Sequence, residues 1–107
     1  MRQIGARQLS DWLSDGARHK PTLLDVREPW EFDICHIGGS KHIPMRTIPA
    51  RLNELDPENE IIVICHHGAR SFQVAMFLER QGFSDVINLS GGVAAWAHEV
   101  DTTMRQY

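Results

Sequence analysis

The fold is decided by one stretch of sequence, Ile61-Ile-Val-Ile-Cys65-His-His-Gly-Ala-Arg70-Ser71. A strand of a parallel sheet that is covered on both faces is apolar without alternation, so the four β-branched residues at its start predict a buried strand. Residues 72–81 follow with apolar side chains at helical spacing, and Gly82 is typical of a helix end. The stretch therefore predicts a strand, a very short loop and a helix.

Cys65 stands where the predicted strand ends and the loop begins. Successive backbone N–H groups in such a turn point inward, and the positive end of the following helix dipole adds to their effect. A thiolate is favoured there over a thiol, and the thiolate is the nucleophilic form of cysteine. The stretch predicts a site for a reactive sulfur; the alternative is an inert cysteine that ends a core strand.

The bulk composition indicates a globular protein of one domain. The chain has 107 residues, of which 42% are hydrophobic and 23% are charged, as is ordinary for such proteins. We expect a single domain over residues 1–107, with the polar residues 101–107 forming a frayed tail.

Charge and cysteine usage limit the classes of partner and the location. Eleven basic and fourteen acidic residues give a formal charge of −3, which provides no electrostatic footprint for nucleic acid or an anionic membrane. No apolar run approaches the roughly 20 residues of a membrane span, and residues 1–7 lack the apolar segment of a signal peptide. With two cysteines in the chain, these features predict free thiols and a cytoplasmic location.

Elements that are typical of strands alternate with elements that are typical of helices along the whole chain. The predicted strands are 21–26, 41–43, 61–64 and 86–89, and the predicted helices are 4–15, a short helix after Pro29, 48–55, 72–81 and 93–100. Such alternation predicts an α/β fold with a mainly parallel sheet. Ligands of these sheets bind beyond the carboxyl ends of the strands, where Cys65 stands and where Asp25 follows the first predicted strand.

Three separate blocks of the chain resemble those of single-domain rhodaneses. The blocks are Leu24-Asp-Val-Arg-Glu-Pro-Trp-Glu-Phe32 with His36-Ile37, then Cys65-His-His-Gly-Ala-Arg-Ser71, then Leu89-Ser-Gly-Gly92 with Trp96. The resemblance covers nearly the whole chain. It implies a five-stranded parallel sheet flanked by helices on both faces.

The same resemblance implies a sulfurtransferase. A sulfane sulfur would pass from a donor, thiosulfate or a persulfide, to a thiol or cyanide acceptor through a persulfide on Cys65, with no cofactor. Cys65 carries over as the nucleophile, and the residues around it as a substrate-binding loop: His66, His67, Gly68, Ala69 and Arg70. A second hypothesis is a sulfur-relay or recognition module that acts on a protein partner.

The number of residues between Cys65 and Arg70 separates two kinds of enzyme. Cysteine phosphatases resemble this loop but use five intervening residues, because a tetrahedral phosphate needs a larger ring. Here four residues intervene, so the loop fits one sulfur atom better than an oxyanion. The spacing disfavours a small-oxyanion phosphatase or an arsenate reductase.

The positive charge of the loop affects how strongly it attracts an anionic donor. Relatives often carry arginine or lysine directly after the cysteine, whereas this chain has His66 and His67. A loop with fewer permanent positive charges should attract dianionic thiosulfate less strongly. We expect the two histidines to contribute mostly backbone N–H groups, although their side chains could tune donor binding near neutral pH.

The roles of several residues near Cys65 can each be interpreted in two ways. Arg70 could bind an anionic donor, or could brace the loop by pairing with an acidic residue such as Asp25 or Glu31. Ser71 could donate a hydrogen bond to the thiolate or could cap the helix. Asp25 is a candidate for the surroundings of the site, although it could equally tie the strand end to the turn after it.

The second cysteine and the histidines also raise a metal and a redox hypothesis. Cys35 and His36 are adjacent, as are Cys65 and His66, but neither pair has the spacing of a structural zinc site, so we expect no metal. Cys35 could resolve an oxidised or persulfidated Cys65 through a disulfide. The alternative, which we favour, is a small packing residue.

Overall fold

The structure is a computed structural model and describes all 107 residues. Its five strands are β1 (Arg2–Ile4), β2 (Thr22–Asp25), β3 (Lys41–His42), β4 (Glu60–Ile64) and β5 (Asp85–Leu89). They form one sheet in the order β1-β5-β4-β2-β3, and every neighbouring pair is parallel. The predicted five-stranded parallel sheet is confirmed.

The helices lie on both faces of the sheet. They are α1 (Ala6–Ser14), α2 (Pro29–Ile34), α3 (Ala69–Arg80) and α4 (Gly92–Glu99), together with a 3₁₀ segment, Met45–Glu54. One core lies between the sheet, α1 and α4, and the other between the sheet, α3 and the 3₁₀ segment. The predicted α-helix over 48–55 is this 3₁₀ segment, which contains Pro49 and has non-helical angles at Arg51. None of the helices combines the length and apolar character that crossing a bilayer requires.

Strand β4 supplies side chains to both cores. Ile61 and Val63 point into the core beneath α3, whereas Ile62 and Ile64 point into the core beneath α1 and α4. All four are fully buried, which explains the unbroken apolar run. Because strand side chains alternate between faces, the same period places Cys65 on the α3 side of the sheet.

Strand β1 is an element that the sequence did not indicate. Residue 4 was expected to begin a helix, but Arg2–Ile4 pairs with Ile87–Leu89 of β5 at the edge of the sheet. Gly5 then adopts an extended conformation, and α1 begins at Ala6. A three-residue edge strand with exposed polar side chains carries no apolar run that would reveal it.

The segment 101–107 is packed against the domain, which corrects the expectation of a frayed tail. Met104 and Tyr107 are half-buried against the core beneath α1 and α4. The Tyr107 hydroxyl forms hydrogen bonds with Arg27 and Glu31, and both of these residues are buried. A polar segment becomes ordered here because one aromatic side chain finds apolar contacts and buried hydrogen-bond partners at the same time.

Candidate active site

The Cys65 sulfur lies at the carboxyl end of β4, directly before the loop that leads into α3. The residue is only 1% exposed. Its Sγ accepts a hydrogen bond from the Gly68 backbone N–H at 3.0 Å, and the Ser71 hydroxyl oxygen lies 3.3 Å away. The first N–H groups of α3 have no carbonyl partner within the helix, so they add positive potential near the sulfur. The Gly68 N–H and the start of α3 therefore favour a negative charge on the sulfur.

Gly68 allows the loop to turn this tightly. It stands at the N-terminal cap of α3 with a φ of +109°, a conformation that residues with a Cβ rarely adopt. A Cβ at this position would lie 3.2 Å from the Gly91 backbone nitrogen. Both the positive φ and this close approach favour glycine at position 68.

A buried polar pair supports the loop from behind. Ser71 is fully buried, and its hydroxyl lies between Cys65 and the Asn88 side-chain oxygen. The Asn88 amide nitrogen donates to the Gly68 carbonyl at 3.2 Å and to the Gln3 side chain at 3.1 Å. Asn88 thus joins β5, the loop and the start of α3, which fixes the position of the hydroxyl beside the sulfur.

The first turn of α4 holds the carbonyl side of the loop. The Val93 N–H donates to the Cys65 carbonyl at 2.9 Å, and the Ala94 N–H donates to the His66 carbonyl at 3.0 Å. These donors are otherwise unpaired groups of a helix N-terminus. Gly92 lies so close to the loop that a Cβ there would be 2.3 Å from the Cys65 carbonyl oxygen. The loop therefore depends on a backbone approach that only glycine permits.

Arg70 is paired with Glu31. The two guanidinium nitrogens contact the two carboxylate oxygens at 2.7 and 2.8 Å, and the Glu31 side chain is only 4% exposed. The hydrogen bonds from Arg70 outweigh the effect of burial and lower the pKa of Glu31 to about 2. Of the two acidic partners that the sequence suggested for Arg70, the structure selects Glu31.

Asp25 belongs to a different ion pair. Its carboxylate accepts hydrogen bonds from the Arg27 side chain, the shortest at 2.7 Å, and both residues are fully buried. Burial alone would lower the pKa of Arg27, but the hydrogen bonds that Arg27 donates to Asp25 and Tyr107 raise it. The Asp25 carboxylate is thus paired with Arg27 and forms no hydrogen bond with the Cys65 loop.

The two loop histidines differ in their surroundings. His66 is half-buried and His67 is exposed, and their ring centroids are 3.9 Å apart. The Tyr107 ring also stacks on His66, with a centroid distance of 3.9 Å and an angle of 11° between the planes. Burial, followed by the neighbouring His67, lowers the pKa of His66. His66 is therefore mostly neutral at pH 7.

The comparisons with known proteins agree with this geometry. The sequence model of the family described as rhodanese-like domain matches residues 6–99. The chain belongs to the rhodanese-like family. A rhodanese-like domain protein from Staphylococcus aureus has a crystal structure with a TM-score of 0.85 at 33% identity, covering 94% of this chain and 95% of that one.

Curated relatives of this rhodanese-like chain carry the name sulfurtransferase. A sulfurtransferase of Allochromatium vinosum is 36% identical over 95 residues, which are 89% of this chain and 87% of the relative. The probable adenylyltransferase/sulfurtransferase MoeZ of Mycobacterium tuberculosis is 38% identical over 106 residues. The chain spans 97% of its own length in that match but only 26% of MoeZ. These relatives support sulfur transfer as the general activity of the family.

The rhodanese-like loop brings together the residues that the sequence proposed around Cys65: His66, His67, Gly68, Ala69, Arg70 and Ser71. Sequence reasoning missed Asn88, Gly92 and Tyr107 as parts of the site. A polar residue inside the apolar strand β5 is a signal that could have indicated Asn88. Tyr107 gives no such signal, because its contacts arise only on folding.

No group of three or more histidine, cysteine, aspartate or glutamate side chains is arranged to hold a metal ion. The two cysteines are both free. They belong to different cores, since Cys65 packs on the α3 side of the sheet and Cys35 against the α1 and α4 side. This placement favours the interpretation of Cys35 as a packing residue.

We predict that Cys35→Ser keeps its activity with a small acceptor. Because the two side chains pack on different sides of the sheet, kcat/KM with cyanide should stay within about twofold of the wild type, the range typical of substitutions outside the chemistry. Steady-state assays with thermal unfolding as a control measure this. A tenfold loss at unchanged thermal stability would instead assign Cys35 a role in the reaction.

We predict that the Glu31–Arg70 pair makes stability depend on pH in the acid range. The pKa of Glu31 is about 2 in the folded chain and 4.5 is its ordinary value, so the contribution is complete above pH 4.5 and disappears as the pH falls towards 2. It amounts to about 2 to 3 kcal/mol once the partial exposure of Arg70 is allowed for.

Urea unfolding at pH 7 and pH 3 of the wild type and of Glu31→Gln measures this contribution. The wild type should lose more free energy of unfolding than the variant between the two pH values, because the variant has no carboxylate to protonate at this position. Equal losses would show that the Glu31 carboxylate is not stabilised in the folded chain.

Proposed function

We propose that the chain is a sulfurtransferase that carries a sulfane sulfur as a persulfide on Cys65. The observation that supports this most strongly is the position of the Cys65 Sγ, which is 3.0 Å from the Gly68 N–H and 3.3 Å from the Ser71 hydroxyl inside a loop of four intervening residues. The Gly68 N–H offers a hydrogen bond to a sulfur anion, and a cysteine thiolate is the nucleophile that this reaction requires.

The proposed reaction has two displacement steps. The Cys65 thiolate attacks the sulfane sulfur of the donor, forms a new S–S bond and breaks the donor's bond, which releases sulfite from thiosulfate or a thiolate from a persulfide. A thiolate or cyanide acceptor then attacks the outer sulfur of the Cys65 persulfide. This step releases a new persulfide or thiocyanate and returns the Cys65 thiolate, so no external oxidant or reductant is needed.

The surroundings of the loop favour a donor of low charge, such as a persulfide, over thiosulfate. Arg70 carries the permanent positive charge of the loop, and Glu31 neutralises it through two hydrogen bonds. His66 adds little positive charge at neutral pH because its pKa is lowered by burial. The same pairing argues against a phosphatase or an arsenate reductase, since Arg70 is directed to a carboxylate rather than to an oxyanion in the loop.

A protein acceptor is a second candidate, and one observation favours it. Phe72 and Met76 lie one turn apart on α3 and are 36% and 37% exposed. Phe72 also lines an open cleft with Gly68 and Ala69 at the back of the loop. An apolar strip beside a reactive cysteine is typical of a surface that contacts another protein. Cytoplasmic location stays a prediction under either hypothesis.

The experiment that tests the function is intact-protein mass spectrometry. The protein is incubated with thiosulfate or with cysteine persulfide, and then with cyanide or a small thiol. We expect a gain of one sulfur atom on a peptide that contains Cys65, and its loss when the acceptor is added. Absence of any adduct with both donors would contradict the proposal and favour a binding module.

A further inference from the structure

Tyr107 is linked to the active-site loop in two ways, and the first is a direct contact through its ring. The ring lies nearly parallel to the His66 imidazole, with centroids 3.9 Å apart. It also meets Trp30 edge to face at 5.6 Å. Tyr107 therefore shields the His66 imidazole from water, and it fixes the direction in which that ring projects.

The second contact is through the Tyr107 hydroxyl. The hydroxyl accepts a hydrogen bond from the buried Arg27 at 2.9 Å and donates one to Glu31 at 2.6 Å. The same Glu31 oxygen also accepts from Arg70 at 2.8 Å. Burial, and then the bond to Glu31, raise the pKa of Tyr107 to about 12, so its hydroxyl remains a donor at neutral pH. One side chain thus fixes His66 directly and Arg70 through Glu31.

The charges that face His66 come from several elements. They are His67 in the loop, Arg70 at the start of α3, Glu31 in α2 and Arg27 after β2, with neutral Tyr107 stacked on the ring. A cavity of about 120 Å³ adjoins the ring, and Cys35, Val93 and Gln106 are among the residues that line it. Both arginines and His67 oppose a proton on His66, whereas Glu31 favours one. Burial lowers the pKa of His66 more than any of these charges changes it, and the stacked Tyr107 ring contributes to that burial.

We propose that Tyr107 is a positioning residue that sets the donor specificity of the Cys65 loop: its ring covers His66, so that the loop disfavours dianionic thiosulfate relative to a persulfide. The inference rests on the proposed function, because it concerns the choice of donor at the same cysteine. It goes beyond that function by assigning a role to a residue about forty positions away in the chain.

Two substitutions separate the ring from the hydroxyl. Tyr107→Phe keeps the ring on His66, whereas Tyr107→Ala exposes the imidazole and lets it gain a proton near pH 6, close to its ordinary pKa. An additional positive charge attracts a dianion more strongly than a donor of lower charge. Met104→Ala is the matched control, because Met104 packs the same segment against the core beneath α1 and α4.

The first readout is the ratio of kcat/KM for thiosulfate to kcat/KM for cysteine persulfide, with cyanide as acceptor at pH 6 and pH 8. We expect Tyr107→Ala to raise this ratio about fivefold at pH 6, the size of effect of a partly exposed charge, and to raise it less at pH 8. Tyr107→Phe and Met104→Ala should stay near the wild-type ratio. An equal rise in Met104→Ala would overturn the proposal, since loosening of the segment 101–107 would then be sufficient to raise the ratio.

The second readout does not depend on turnover. The His66 ring signals are titrated by NMR, with the assignment made from His66→Gln. The titration midpoint should rise in Tyr107→Ala and stay unchanged in Tyr107→Phe. An unchanged midpoint in Tyr107→Ala overturns this inference, whatever the kinetic result. Failure of the wild type to accept sulfur from either donor contradicts the proposed function instead. The titration then still decides whether Tyr107 shields His66.

Discussion

Cys65→Ser is expected to remove sulfur transfer, with kcat/KM reduced at least about a thousandfold, as is found when an essential nucleophile is replaced. A serine hydroxyl is far less acidic than a thiol, and it cannot hold a sulfane sulfur in a persulfide. The fold should be retained. The smaller oxygen can still accept the hydrogen bond from the Gly68 N–H, and the Ser71 hydroxyl lies on its other side.

Three measurements on this variant check the expectation. Steady-state assays give kcat/KM, circular dichroism with thermal unfolding reports the fold, and intact mass after incubation with a donor reports the persulfide. Cys35→Ser is the matched control, because it removes the other thiol of the chain and leaves Cys65 in place. Turnover by Cys65→Ser near the wild-type rate, or a sulfur adduct on Cys35, would contradict the persulfide mechanism.

The fold could be predicted largely because its information is local in the sequence. The period of β4, the turn at Gly68 and the helical spacing of α3 each depend on neighbouring residues, and the alternation of such elements then requires a parallel sheet. Strand β1 could not be predicted in this way. Its residues form a strand only because β5 offers them an unpaired edge.

The candidate site also has a part that is local in the sequence and a part that is not. The loop residues from Cys65 to Ser71 are contiguous, so their proximity follows from the chain itself. Their supports are brought in by tertiary structure: Glu31 from α2, Asn88 from β5 and Tyr107 from the segment after α4. Sequence reasoning could suggest Glu31 as one of two partners for Arg70, but it had no basis for choosing between a carboxylate at the end of β2 and one in α2.

Gly92→Ala is expected to have the second large effect, because it would separate α4 from the loop. A Cβ at this position would lie 2.3 Å from the Cys65 carbonyl oxygen and 2.5 Å from the His66 carbonyl oxygen, both of which are backbone atoms. The residue also has a φ of +57°, which disfavours a side chain. Together, overpacking and backbone strain should lower the free energy of unfolding by about 3 kcal/mol.

Gly92→Ala should also lower kcat/KM about a hundredfold, because a loop displaced by even an ångström loses its alignment. Gly82→Ala separates backbone strain from the clash: Gly82 has a φ of +92°, but a Cβ there would meet no atom within 4 Å. We expect this control to lose about 1 kcal/mol and to keep wild-type kinetics. Urea unfolding and steady-state assays of both variants distinguish the two effects. Equal losses in the two variants would show that strain alone is responsible, and the close approach of α4 would then not position Cys65.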